Sequence, residues 1–299
     1  MTIQHPPIGL RGLSTVGKAT SRFATILASM RRTVILLICM LSCNLIAAQE
    51  GDVHPSFRRT TRATLFGVGV ARQQDTYLSP LSYRGPQLHF LHETLRTTHL
   101  LDSCVSFQTL LQADLSNTNS PADNADDLGG FAHFDLAWHY NWRPTSRLRI
   151  LLGPQLGATL GALYNTRNGN NPAQATAELH LSASASASYA FRLWKQPIIL
   201  RDQLDLPFIG AMFSPAYGQS YYELFSLGHR DHNVCLTTPF NAPSLRNQLL
   251  VDLPFRRMTL RFGYLIDLRQ SHVNDIRHHA NSHAFLIGWV RYFSIERPK

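Results

Sequence analysis

The sharpest enzyme-like pattern in this 299-residue sequence is His180-Leu181-Ser182. On an extended strand, residues two apart point the same way, so the His180 imidazole could act as base to the Ser182 hydroxyl in an acyl transfer. The same pair opens a Ser/Ala repeat running to Ser188. Its face also reads as polar and turned away from lipid, so the serines take a structural role and no catalytic residue is expected. Histidines gather again at His229 and His232, then at His272, His278, His279 and His283. Histidines at such spacing can hold a metal, but no cysteine or carboxylate frame joins them at ligand spacing. Neither a metal nor another cofactor is expected. No GxGxxG, P-loop, HExxH or nucleophile elbow occurs.

A second constellation is ionic. Asp114, Asp135, Glu178, Arg201, Asp205, Arg246, Asp252, Arg261, Asp267 and Arg269 fall on the polar sides of alternating segments. Gathered inside a barrel, they would form either a packed salt-bridged core or a pore lining that sorts solutes by charge. The mixture of signs argues against strong selectivity. Net charge is +9, but residues 1–48 hold Arg11, Lys18, Arg22, Arg31 and Arg32 and no acid. Taking those five from 28 leaves 23 basic residues against 19 acidic, net +4. With no dense basic run, nucleic acid is not an expected partner. Lys18, Lys195 and Lys299 are the only lysines; arginine suits buried ion pairs or anionic headgroups.

The elements that must position these residues read as strands. In Ala132–Trp142, Ala132, Phe134, Leu136, Trp138, Tyr140 and Trp142 oppose His133, Asp135, Ala137, His139 and Asn141. In Thr176–Leu193, Leu179, Leu181, Ala183 and Ala185 oppose Glu178, His180, Ser182 and Ser184. Near the end, Leu260, Phe262, Tyr264, Ile266 and Leu268 oppose Arg261, Gly263, Leu265, Asp267 and Arg269. Weaker alternation marks 62–72, 86–97, 104–115, 146–164, 197–209, 219–228, 244–253 and 282–293, with breakers such as Ser79-Pro80 and 270–279 between. These are eleven segments, and 146–164 or 207–240 could hide a twelfth. Membrane barrels of one chain have even strand numbers, so an all-β antiparallel transmembrane barrel of about 12 strands is expected, with 10 as second choice. Alternation over 11 to 18 residues is too long for a soluble sandwich, whose strands average ~5–6. No window after residue 50 is apolar enough for a membrane helix. Trp138, Tyr140, Trp142, Tyr221, Tyr222, Trp289 and Phe293 are expected in an interfacial aromatic girdle. Residues 217–225 fit a constriction, a partner surface or a tight turn, and the sequence leaves these open.

Residues 30–48, MRRTVILLICMLSCNLIAA, hold the parts of a cleaved signal peptide: a charged start at Arg31 and Arg32, an apolar run, and Ala47-Ala48. Met30 is read as the true start, with 1–29 an upstream extension and 49–299 the barrel. Cys43 also admits a lipoprotein signal. Cys104 and Cys235 would remain in an oxidising compartment, where a disulfide is open.

Two stretches carry a resemblance. They are Asp75-Thr76-Tyr77-Leu78-Ser79-Pro80-Leu81-Ser82-Tyr83-Arg84-Gly85-Pro86 and Phe213-Ser214-Pro215-Ala216-Tyr217-Gly218-Gln219-Ser220-Tyr221-Tyr222-Glu223-Leu224-Phe225. Together they resemble a Bacteroidetes family of uncharacterised outer-membrane proteins, a domain of unknown function, over roughly 58–294. The resemblance implies barrel and bacterial outer membrane but no site residue. The expected protein is a structural or passive-transport barrel with a polar, salt-bridged lumen. Its partners are outer-membrane lipid, lipopolysaccharide and, during biogenesis, the barrel-assembly machinery. The alternatives are an outer-membrane lipid hydrolase using His180 and Ser182, or a soluble periplasmic β-barrel binding protein.

Overall fold

The computed structural model describes residues 60–98, 100–101, 104–194, 196–229, 231–255 and 258–293. The expected extension at 1–29 and leader at 30–48, with Cys43, lie outside them. Alternation becomes long strands: β1 (Thr60–Asp75), β2 (Ser79–Thr97), β3 (Val105–Asn119), β4 (Asp126–Trp142), β5 (Leu148–Asn165), β6 (Ala173–Leu193) and β7 (Gln196–Phe213). After a short helix α1 (Tyr221–Phe225) and a four-residue strand β8 (Val234–Thr237) come β9 (Ser244–Pro254), β10 (Thr259–Val273) and β11 (Ile276–Phe293). Apart from the β8 detour, neighbours in sequence pair antiparallel, and β11 returns to β1 from Thr60↔Phe293 to Asp75↔His278. Ten strands therefore close a barrel, with β8 lying along the upper part of β7.

Ten, the second choice from sequence, replaces the expected twelve. The segment 219–228 is not a wall strand. The Ser220 hydroxyl accepts from the Glu223 N–H while the Glu223 carboxylate accepts from the Ser220 N–H. That reciprocal cap starts a helix turn. The segment at 146–164 is one strand, β5, and 207–240 contributes only the end of β7, α1 and β8. The breaker expected at 270–279 also shrinks. Pairing runs on through Gln270↔His279 to a two-residue turn, Asn274-Asp275, with φ of 49° and 60°. Asx residues tolerate that left-handed region, and two such residues match the twist of a hairpin.

Parity sorts the side chains as the alternation implies. In β4, Phe134, Trp138, Tyr140 and Trp142 face out, while His133, Asp135 and His139 are buried inside. Phe66, Val68 and Val70 of β1, Leu88 of β2 and Phe285 and Ile287 of β11 form a contiguous apolar outer surface. One end of the barrel carries Thr60, Phe293 and the connections after β2, β4, β6 and β9; this is the terminal end. The other, the loop end, carries the connections after β1, β3, β5, β7 and β10. Cys104 stands at the terminal end, before β3, and Cys235 in β8 at the loop end. Both are free thiols, so the disulfide left open by the sequence does not form.

The wall has one thin seam. β7 pairs with β9 only from Ile199↔Asp252 to Asp205↔Arg246, and with β8 only from Gly210↔Thr237 to Phe213↔Val234. Residues 206–209 between these stretches have no ladder partner on that side. Pro207 among them has no N–H to offer.

Candidate functional site: the layered lumen

β6 makes the room that the interior needs. Its inward Ser182, Ser184 and Ser186 are small and buried, so long arginines from the facing wall can cross the lumen. Toward the terminal end, Glu93 of β2 takes Arg201 of β7 on one oxygen at 2.6 Å and Arg261 of β10 on the other at 2.9 Å. Arg261 also forks onto Asp252 of β9, at 2.6 and 2.8 Å. Gln108 of β3 donates to Glu93 at 2.8 Å and to Gln203 of β7 at 2.9 Å. Five strands are thus tied through one carboxylate. A buried carboxylate is tolerated only when so matched.

A second network joins Arg246 of β9 to Asp135 of β4 (2.6 Å) and Asp205 of β7 (2.9 Å). Ser184 donates to Asp205 at 2.6 Å. A third centres on Asp114 of β3. It is met by His89 of β2 at 2.6 Å, His133 of β4 at 3.1 Å, Gln112 and Arg269 of β10, and Arg269 is bound in turn to Asp267. On the side of the lumen formed by β9, β10, β11, β1, β2 and β3, an apolar layer of Leu65, Leu91, Leu110, Leu250, Leu265 and Leu286 lies between the Glu93 and Asp114 networks. On the β7 side, Gln203 donates to Asp205 and joins the first network to the second. At the loop end a further cluster of Tyr77, Leu78, Phe131, Leu163 and Ile276, with Tyr221 against it, closes the lumen.

That cap is built by the two stretches that carried the resemblance. The Tyr77 hydroxyl donates to the Gln219 carbonyl at 2.8 Å, and the Tyr77 and Tyr221 rings meet edge to face at 6.0 Å. The Tyr221 hydroxyl accepts from the Ala175 N–H at 2.6 Å and reaches Gln174 at 3.0 Å. Burial pushes the Tyr77 hydroxyl up to about 12, helped by nearby Tyr221, Asp75 and Glu223. Burial raises Tyr221 as well, while the Ser220 backbone and hydroxyl hold Glu223 below the ordinary carboxylate range.

Of the ionic residues expected from sequence, Asp135, Arg201, Asp205, Arg246, Asp252, Arg261, Asp267 and Arg269 all meet inside with Asp114. Glu178 stands at the margin, 3.6 Å from His180. Sequence reasoning missed Glu93, the centre of the first network. The signal was present as the odd-numbered run Gln87, His89, Leu91, Glu93 of β2, obscured because its outer face carries His92 and Thr94 among apolar residues. It also missed the apolar layer, since inward leucines look like breaks in a polar face. Of the expected girdle, Trp138, Tyr140, Trp142, Trp289 and Phe293 lie outside at the terminal end. Tyr221 and Tyr222 do not join them, because the Ser220 cap turns their segment into α1. Tyr221 goes into the loop-end cap, and Tyr222 is exposed on the helix.

His180 and Ser182 border a cavity of about 40 Å³ whose walls include Asp135, Arg246, Arg269 and Pro207. Among the described residues the Ser182 hydroxyl oxygen and His180 Nδ1 have no hydrogen-bond partner, and His180 Nε2 stands 4.0 Å from Asp135. Gly157 makes the contact possible, since a Cβ there would lie 2.2 Å from His180 Nε2. A space of that size holds two or three waters, enough to satisfy both orphaned atoms but far too small for an acyl chain. Among the described residues, no group of three or more His, Cys, Asp or Glu stands together as a metal site.

A closed antiparallel barrel, apolar outside and ionic within, is the architecture of transmembrane β-barrels and the inverse of a soluble one. The chain belongs to the family described as protein of unknown function (DUF3316), whose model matches residues 34–299. No curated protein matches it. Among solved structures it is similar to the outer membrane protease OmpT of Escherichia coli, with 6% identity, TM-score 0.45, and 82% of this chain and 99% of that one covered. The transport unit of the autotransporter AIDA-I of Escherichia coli gives 7% identity, TM-score 0.47 and coverages of 82% and 93%. The translocator domain of the autotransporter NalP of Neisseria meningitidis gives 10% identity, TM-score 0.39 and coverages of 88% and 98%.

Proposed function

We propose that this chain is a sealed, non-catalytic barrel of the bacterial outer membrane, exported by its leader and serving as a structural element rather than a pore. The two resemblance motifs favour a Bacteroidetes source. The observation that carries the sealed reading is the stack inside the barrel. Glu93, Asp114 and Asp135 each bind a residue from the opposite wall, leucines fill the space between ionic layers, and the Tyr77–Tyr221 cap covers the loop end. Solutes need a continuous wet path, and the arginines that cross from wall to wall, together with the loop-end cap, fill the space one would take. The outer surface of Phe66, Val68, Leu88 and Phe285 supports lipid as its surroundings over a soluble periplasmic location. A planar-bilayer recording tests the seal: folded protein should add no conductance steps, and reproducible ion steps from the unmodified barrel would sink the reading. Cell fractionation with a heat-modifiability gel tests the location.

One observation favours a lipid hydrolase, namely the unpartnered Ser182 oxygen and His180 nitrogen in one cavity. Cavity size weighs against it. Loss of a measured lipid-ester hydrolysis on Ser182→Ala would establish that alternative.

A further inference from the structure

β1 carries two outward arginines ten residues apart, Arg62 and Arg72, with only Thr64, Phe66, Val68 and Val70 on the same face between them. Each is set directly across the ladder from another outward arginine. Arg62 pairs with Arg291 of β11, and Arg72 pairs with Arg84 of β2. All four are exposed, and among the described residues none makes an ion pair. Arg62 rests on the Phe293 ring, 5.3 Å from its centre, and the Arg72 Nε donates to the Ser82 hydroxyl at 2.9 Å. Cross-strand like charges, with Cβ atoms ~4.5–5.5 Å apart, repel unless an anion lies between them.

Their heights are those of a membrane's two edges. Ten residues at ~3.3 Å each, on a strand tilted ~40°, rise about 25 Å, the thickness of a barrel's apolar band. One pair sits at the terminal end and the other at the loop end, and everything outward between them on β1 is apolar or a threonine.

We propose that Arg62 with Arg291, and Arg72 with Arg84, each bind the phosphate group of an anionic membrane lipid at one edge of the apolar belt. A planar guanidinium offers a forked donor set that matches phosphate oxygens, and two forks from adjacent strands enclose one such group. The bound lipid relieves the repulsion within each pair and pins the barrel's depth in both leaflets. The proposal rests on the membrane reading given above.

The test folds the full chain into vesicles of phosphatidylcholine, with or without phosphatidylglycerol, and counts bound anionic lipid by native mass spectrometry. The unmodified barrel should retain phosphatidylglycerol in preference to phosphatidylcholine, and the preference should fade as salt is raised. The double variants Arg72→Gln/Arg84→Gln and Arg62→Gln/Arg291→Gln should each weaken retention roughly thirtyfold, about fivefold for each surface arginine removed. The matching double lysine variants should recover part of it. Unchanged retention in both glutamine variants overturns the proposal, as does a salt-independent preference in the unmodified protein. Equal displacement of the lipid by inorganic phosphate overturns it too, because any small anion would then serve. A chain that shows no heat-modifiable band in either vesicle defeats the membrane reading. One that folds in phosphatidylcholine but ignores phosphatidylglycerol defeats only the lipid site.

Discussion

Two neighbouring layers of the lumen fill similar space by opposite means. The Glu93 layer does it by pairing, with Arg201, Arg261, Asp252 and Gln108 arranged so that each polar atom meets another. The layer above does it by shape, with Leu65, Leu91, Leu110, Leu250 and Leu265 in contact. The difference lies in what one deletion leaves behind. A missing leucine leaves a hole, whereas a missing Glu93 leaves the buried Arg201 without a carboxylate and Arg261 with only Asp252.

The largest expected effect follows from that asymmetry. Glu93→Ala should destabilise the folded barrel by about 3–5 kcal/mol, because Arg201 stays buried without a carboxylate partner while Arg261 keeps only Asp252. The midpoint of the heat-modifiability transition measures it. Replacing the pair together, Glu93→Leu with Arg201→Met, leaves Arg261 on Asp252 and should return stability close to the parent. If the double variant falls as far as the single one, the ionic layer contributes more than its matching. Leu265→Ala should cost about 3 kcal/mol through lost burial and a residual cavity, read from the same gel. A loss equal to that of Glu93→Ala would erase the proposed contrast. Gly157→Ala sits on the smaller scale, about 1–2 kcal/mol, since its new methyl must displace both the His180 ring and the Asp135 carboxylate oxygen 2.6 Å away. Leaving the gel midpoint unmoved would mean that His180 is free to swing.

The loop-end cap gives the smallest effect, and it depends on pH. Burial raises Tyr77 to about 12 from its ordinary 10, so the fold prefers the neutral hydroxyl. Its contribution is full below pH 10 and is lost as pH rises through about 12. Glu223 has the opposite sign. Its pKa is lowered, so its contribution is present above the ordinary carboxylate value and fades as acid is added. Tyrosinate absorbance of the folded barrel during an alkaline titration should show a late-ionising tyrosine that Tyr77→Phe removes.

Much of the fold was legible because a membrane strand repeats one rule over many residues. In β4 and β6 the greasy and wet positions alternate, with Phe131, Ala137 and Ala190 as exceptions, for long enough to fix the two faces. The rule failed where local chemistry outweighed it. Residues 219–228 alternate weakly, but Ser220 and Glu223 satisfy each other's backbone within four residues and form α1. The site was legible in its charged members and illegible in its centre. Arg261 and Asp267 stand out in β10 against Phe262 and Ile266, whereas Glu93 sits in a strand whose outer face also carries polar residues. Which carboxylate meets which arginine depends on ladder register across strands far apart in sequence, as with Glu93 and Arg261, and no local pattern encodes that.

The thin seam beside Pro207 carries a consequence for how the molecule breathes. The closure between β1 and β11 is laddered along all of β1, but β7 and β9 share only the stretch from Ile199 to Asp205. Amide protons along that stretch should therefore exchange with solvent deuterium sooner than those of the closing pair, as hydrogen–deuterium exchange would record. The joint between the first and last strands, the final one that a growing chain can make, would then outlast an internal one.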